Sequence, residues 1–174
     1  MPKERKKIHT EAQGKVSEDV IPLEVLSLGI YNEISAYDFY IRVSQSIANP
    51  SGQEKFRFLA SDEKRHRETL EEWYEKESGK KFILDSSKVK KIDVKIKDTT
   101  SAFEAINIAL EAERQAYLFY TDAGKKTKNG DAKKMLLVLA KEEDGHYQKL
   151  SAERNALSGG FYWFDIQGSG FVED

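Results

Sequence analysis

The chain has 174 residues, 39% of them apolar, which suits one domain with a buried core. Lysine and arginine total 28 against 30 aspartates and glutamates, and a net charge of -2 argues against nucleic acid or an acidic membrane as the main partner. No cysteine is present, which excludes disulfides, thiolate metal sites and redox thiols on this chain.

Residues 1–20 read as a polar arm that includes His9. The opening MPKERKKIHTEAQGK lacks the apolar stretch of a signal peptide, and no run approaches the length of a membrane span, so cytoplasm is the expected compartment. Pro22 suits the first turn of a helix, where its missing N–H costs nothing. From Leu23 to about Ile47, apolar residues at helical spacing (Leu26, Ile30, Ile34 or Tyr37, Ile41) predict the first helix. The stretch Asn49-Pro50-Ser51-Gly52 reads as a breaker. A second helix follows from about Gln53 to Glu77, with Phe56, Leu59, Ala60, Leu70, Trp73 and Tyr74 on one broad face, ended by Ser78 and Gly79.

Residues 80–99 alternate weakly and read as a crossover with short extended pieces. Asp98, Thr99, Thr100 or Ser101 can cap a third helix. It runs to about Ala123, with Phe103, Ile106, Leu110, Tyr117 and Tyr120 inward. Gly124 to Gly130 is a lysine-rich turn with a solvated character. The fourth helix runs from about Asp131 to Ala156, with Met135 or Leu136, Leu139, Ala140, Tyr147 and Leu150 inward. Residues 158–174 form an aromatic tail expected to fold onto the bundle or a second subunit; the bundle itself is 21–157. Amphipathic helices of this length are stable only when packed, so the expected fold is all-α, a four-helix bundle.

The apolar stripes are interrupted by charge. Glu33 stands between Ile30 and Tyr37, and Glu113 between Leu110 and Tyr117. Glu63 and His66 fall between Leu59 and Leu70, and Glu143 and His146 between Leu139 and Leu150. Each helix therefore turns one carboxylate inward, and the second and fourth add a histidine one turn later. Buried carboxylates repel and resist desolvation; cations answer both problems. Carboxylate oxygen and imidazole nitrogen suit iron, manganese or zinc, and six such ligands suit two ions.

A single E-x-x-H is common by chance. Here, however, the two motifs EKRH and EDGH belong to a repeat offset by 80 residues. Glu33 maps to Glu113, Tyr37 to Tyr117, Tyr40 to Tyr120, Glu63 to Glu143 and His66 to His146, so two helix pairs should meet about a pseudo-twofold axis. Tyr37, Tyr40, Tyr117 and Tyr120 are candidates for core packing, with one or two donating hydrogen bonds that orient ligating carboxylates. Asp62 and Asp144 flank ligands but point elsewhere, and Glu111 cannot share the face of Glu113.

At NEISAYDFY, DEKRH, EAERQAYLFY and KEEDGH the sequence resembles the rubrerythrin-like branch of the ferritin-like superfamily, over about residues 20–156. The resemblance implies a ferritin-like bundle with a long crossover between helices two and three, and a site for two iron ions. It implies Glu33 and Glu113 as lone carboxylates, Glu63 and Glu143 as bridging ligands, and His66 and His146 as terminal ones. It also implies a non-haem diiron oxidoreductase that reduces hydrogen peroxide or dioxygen, with a ferroxidase or iron-storage protein as the alternative. Two departures stand out. Without cysteine there is no rubredoxin-type module, so electrons must come from a separate donor. Leu110 and Ala116 also stand where an additional glutamate near the helix-three ligand would be sought. A hydroxylase acting on a larger substrate would need a channel to the ions, and a homodimer is the expected assembly.

Overall fold

In the structure, a computed structural model that describes residues 21–92 and 99–158, the four periodic runs fold as α1 (Leu23–Ser46), α2 (Pro50–Ser78), α3 (Thr99–Lys126) and α4 (Gly130–Ser158). The arm with His9 and the tail from residue 159 lie outside the described residues.

Two of the expected boundaries shift because asparagine acts as a starter. The side chain of Asn49 accepts from the backbone N–H groups of Ser51 (2.9 Å) and Gly52 (3.2 Å), and Pro50 occupies the first turn. Asn-Pro is therefore the beginning of α2 rather than a break before it. Asn129 likewise accepts from Asp131 (3.1 Å) and Ala132 (3.0 Å), so α4 opens at Gly130. Pro22 sits just before α1 rather than within its first turn, and its carbonyl accepts from Val25 and Leu26. The third helix passes through Gly124, expected in the turn, and ends at Lys126. Leu137 of α4 packs on that glycine, where a Cβ would lie 3.1 Å from its Cδ2. Gly79 does stop α2: at φ 69° it takes the left-handed cap, and its N–H donates to the Glu75 carbonyl.

The helices pack as two hairpins, α1 along α2 and α3 along α4, whereas α1 and α3 meet only sparsely. Two apolar clusters close the two ends. One joins Phe39, Val43, Phe56, Leu59, Ile106 and Leu150; the other joins Leu26, Ile30, Leu70, Leu136 and Leu139. The late residues of α1 thus meet the early residues of α2 and α3, which makes α2 and α3 parallel. A parallel pair needs a connection that returns the length of the bundle. This is the ferritin-like arrangement, with its long crossover between the second and third helices.

The described part of the crossover contains one 3-10 turn, Ser86–Lys88, and no strand, so the expected extended pieces do not form there. It runs beside α1. Phe82 packs edge-on against Tyr31 and Tyr74, with ring centroids 5.3 Å apart in both pairs. The Asp85 N–H donates to the Tyr31 hydroxyl (3.2 Å), and Arg42 donates to the Ile92 carbonyl (2.6 Å). No helix among the described residues is long and apolar enough to cross a membrane.

Candidate metal centre

Between the apolar ends, the middle of the bundle is polar. Glu33, Glu63, Glu113, Glu143, His66 and His146 are all buried there, none more than 2% exposed. They form two donor groups: Glu33, Glu63, His66 and Glu143 in one, Glu63, Glu113, Glu143 and His146 in the other. Within each group one donor atom per residue lies within 4.8 Å of the rest. Glu63 and Glu143 belong to both groups and so lie between the two centres.

The donor atoms face a shared space more than they face one another. His66 Nδ1 lies 2.9 Å from Glu143 Oε1 and 3.4 Å from Glu63 Oε2. His146 Nδ1 lies 3.3 Å from Glu63 and 3.4 Å from Glu143. Yet none of these approaches has hydrogen-bond geometry, and Glu63 Oε1, both Glu143 oxygens and both imidazole Nδ1 atoms have no hydrogen-bond partner. Buried polar atoms left this way are costly. A pair of cations at the point of convergence fits all five, and the donor set of oxygen and nitrogen fits iron, manganese or zinc.

The proton distribution follows from the same crowding. Burial, reinforced by Glu63 and Glu143, pushes the Glu33 carboxyl well above its ordinary range. Burial and Glu63 do the same to Glu113. Burial opposes ionisation of Glu143 as well, but His146 and His66 outweigh it and hold it down at about 2. Glu63 is lowered for the same reason, against its own burial. Burial disfavours the His66 imidazolium, but Glu143 and Glu63 override that and raise it to about 10; His146 is raised too, by Glu113, Glu143 and Glu63.

Around the six lies a second set of contacts. Tyr40 of α1 donates to Glu113 of α3, and Tyr120 of α3 donates to Glu33 of α1, a reciprocal pair across the pseudo-twofold axis. Burial and the carboxylates raise both phenols well above their ordinary value, which keeps them as donors. Gly29 makes room for this: a Cβ there would lie 3.4 Å from the Tyr120 hydroxyl and 3.1 Å from Leu70. The other two tyrosine candidates do otherwise. Tyr37 packs beside the Phe39 cluster, and Tyr117, expected inward, is 38% exposed. The reason is helical phase. A residue seven positions on returns to within about 20° of the ligand's direction, whereas four positions on overshoots by about 40°.

Each histidine is also held from behind. His66 Nε2 lies 2.7 Å from Glu142 Oε2, and His146 Nε2 lies 3.0 Å from Asp62 Oδ2. With Nε2–H donating to a carboxylate, Nδ1 faces the centre, and a metal that displaced its proton would meet the lone pair there. Arg65 clasps both outer carboxylates, with Nη1 2.9 Å from Glu142 and Nη2 2.8 Å from Asp62. Burial opposes charge on Asp62, but Arg65 and His146 hold it below its usual value. Asp62 does point away from the ions' space, as expected, but onto the histidine of the opposite hairpin; Asp144 is exposed. Glu142 and Arg65 went unnoticed in the sequence. The offset of 80 could have found Glu142, since it maps there from Asp62. Leu110 packs in the apolar cluster and Ala116 is half-buried, so neither position adds a donor.

Among the described residues, a cavity leads to the centre. With a volume of about 370 Å³, it lies between α1 and α3 and reaches Glu33, Glu63, Glu113 and Glu143. Ser35 and Ala36 line it on α1, Ala112, Gln115 and Ala116 on α3, and Lys90 and Ile92 on the crossover.

A ferritin-like bundle with two such E-x-x-H hairpins around a buried carboxylate centre defines the class of diiron-type carboxylate proteins. The rubrerythrin family profile matches residues 24–154, and the chain belongs to that family. A hypothetical protein from Pyrococcus furiosus is similar in structure, with a TM-score of 0.73 and 26% sequence identity over 85% of this chain and 96% of that one. No curated protein matches in sequence.

Proposed function

We propose that this protein is a diiron peroxidase, reducing hydrogen peroxide to water with two electrons and two protons. The observation that carries the reading is the convergence of unpartnered Glu63, Glu143, His66 and His146 atoms on a buried space reached by a cavity. Glu33 and His66 would hold one ion, Glu113 and His146 the other, and Glu63 and Glu143 would be shared. Two ferrous ions held there would supply one electron each. The chain's own part is positioning and exclusion. Tyr40 and Tyr120 fix Glu113 and Glu33, while Glu142 and Asp62 fix the imidazoles. The apolar clusters at both ends keep the centre out of bulk water, which strengthens every charge interaction within it.

Because the chain has no cysteine, a separate protein or small reductant would renew the electrons. The proposed compartment is the cytoplasm and the proposed assembly a homodimer; the tail on which the dimer expectation rests lies outside the described residues.

Anaerobic loading with ferrous iron, followed by peroxide or air, tests the reading. Faster oxidation by peroxide than by dioxygen, at one peroxide per two irons, is the expected result. Preference for dioxygen with mineral growing beyond two irons per chain would replace it with ferroxidase or storage. Zinc, which has no redox couple, would give no oxidation.

A further inference from the structure

We infer that the cavity between α1 and α3 is an organic-substrate pocket, and that the protein reduces compact organic hydroperoxides as well as hydrogen peroxide; this rests on the peroxidase reading. Its size is the first argument. Hydrogen peroxide is about the size of two waters, on the order of 60 Å³ by their share of liquid volume. The cavity is about 370 Å³, in the range of sites for small organic molecules. Two ions and an oxidant's two oxygens would fill only its floor, where the four glutamates stand.

The walls are the second argument. Ala36 of α1 and Ala116 of α3 are related by the 80-residue offset, and with Ala112 they leave space on both sides of the pseudo-twofold axis. Phe119 and Ile92 give the pocket apolar surface above its carboxylate floor. A passage built only for peroxide and water gains nothing from that surface. An alkyl or aryl group would be desolvated against it, at about 25 cal/mol per Å², while its hydroperoxy end reached the carboxylate floor.

Ile92 is a fastened wall. The crossover that carries it is tied to α1 through Arg42 and the Ile92 carbonyl, and through Tyr31 and the Asp85 N–H. Ile92 is thus held in place as one wall of the pocket, beside the site. The reaction is ROOH + 2e⁻ + 2H⁺ → ROH + H₂O. Two ferrous ions held by the six ligands would supply the two electrons, one each; the O–O bond would break, with one oxygen leaving as water and the other as the alcohol.

The test uses cumene hydroperoxide against hydrogen peroxide on the diferrous full-length protein, and cumyl alcohol binding to the dizinc protein by saturation-transfer NMR. Wild type should be oxidised by both peroxides and should bind the alcohol. Ala36→Leu or Ala116→Leu should slow cumene hydroperoxide at least tenfold and abolish alcohol binding, with hydrogen peroxide changed less than threefold. Ile92→Ala, which removes bulk from this wall, should speed cumene hydroperoxide. Absence of alcohol binding to wild type, or equal slowing of both peroxides in the leucine variants, overturns the inference. Oxidation by hydrogen peroxide alone overturns it while sparing the peroxidase reading; oxidation by neither sinks that reading too.

Discussion

His66 Nε2 sits 2.7 Å from Glu142 Oε2, a contact between helices of opposite hairpins that aims the ring's other nitrogen at the centre. The equivalent contact, His146 to Asp62, runs the other way across the same interface. Each hairpin therefore orients the ligand of its partner. Glu142→Ala should lower metal affinity by about 10–100-fold, the usual effect of removing such a support. Competition with a chromophoric chelator would read it, and the helical circular dichroism should not change. Unaltered affinity would mean the ring is positioned by packing alone.

Glu63 and Glu33 should differ in kind. Glu63 belongs to both donor groups, Glu33 to one. Glu63→Ala should leave less than one ion bound per chain, while Glu33→Ala should spare the site that contains Glu113 and His146. Elemental analysis after dialysis against a weak chelator distinguishes them. Two ions retained by Glu63→Ala would contradict the shared-ligand arrangement.

Tyr120→Phe removes the hydroxyl that donates to the buried Glu33, and Tyr40→Phe does so for Glu113. Either should cost about 1–3 kcal/mol in the loaded protein, because a buried acceptor loses its donor. Tyr117→Phe, at a 38% exposed position, should be within about 0.5 kcal/mol of wild type. Urea unfolding of the three variants gives the comparison, and equal losses in all of them would remove the special role of the buried pair.

Stability without metal should fall as the solution becomes alkaline. His66 is raised from 6.5 to about 10 in the fold. Its contribution is therefore complete below pH 6.5 and is lost as pH climbs through the folded value. His146, Glu33 and Glu113 are shifted in the same direction and act with the same sign. Glu63 and Glu143 are shifted down, so their contribution is already complete above pH 4.5. Thermal melts in a chelator should thus show a midpoint that drops from pH 6.5 toward 10. The loaded protein should be flatter over that range, because ligating imidazoles carry no titrating proton. A rising midpoint in the chelator would reverse the assignment of protons.

Helical periodicity and the repeat located four helices and the six inward side chains from sequence alone, because a residue's face on a helix is fixed by its spacing. Glu33, Glu63, Glu113 and Glu143 interrupt stripes that are otherwise apolar, and that interruption is visible in one dimension. The local starts were harder: Asn49-Pro50 has the composition of a turn, and only the observed bonds to Ser51 and Gly52 make it a cap.

What crosses between helices was decided in three dimensions. Periodicity says that Tyr40 and Tyr120 point inward, but not that each reaches the glutamate of the other hairpin. Asp62 appeared to face away from the centre, and relative to its own helix it does; the partner for it is His146, brought there by α4. Nor could spacing reveal the cavity, since Ala36 and Ala116 are ordinary helix residues until the packing of α1 beside α3 makes them its walls. A sequence fixes direction about a single axis, whereas hydrogen bonds and empty space depend on the separation of two axes, which packing alone sets.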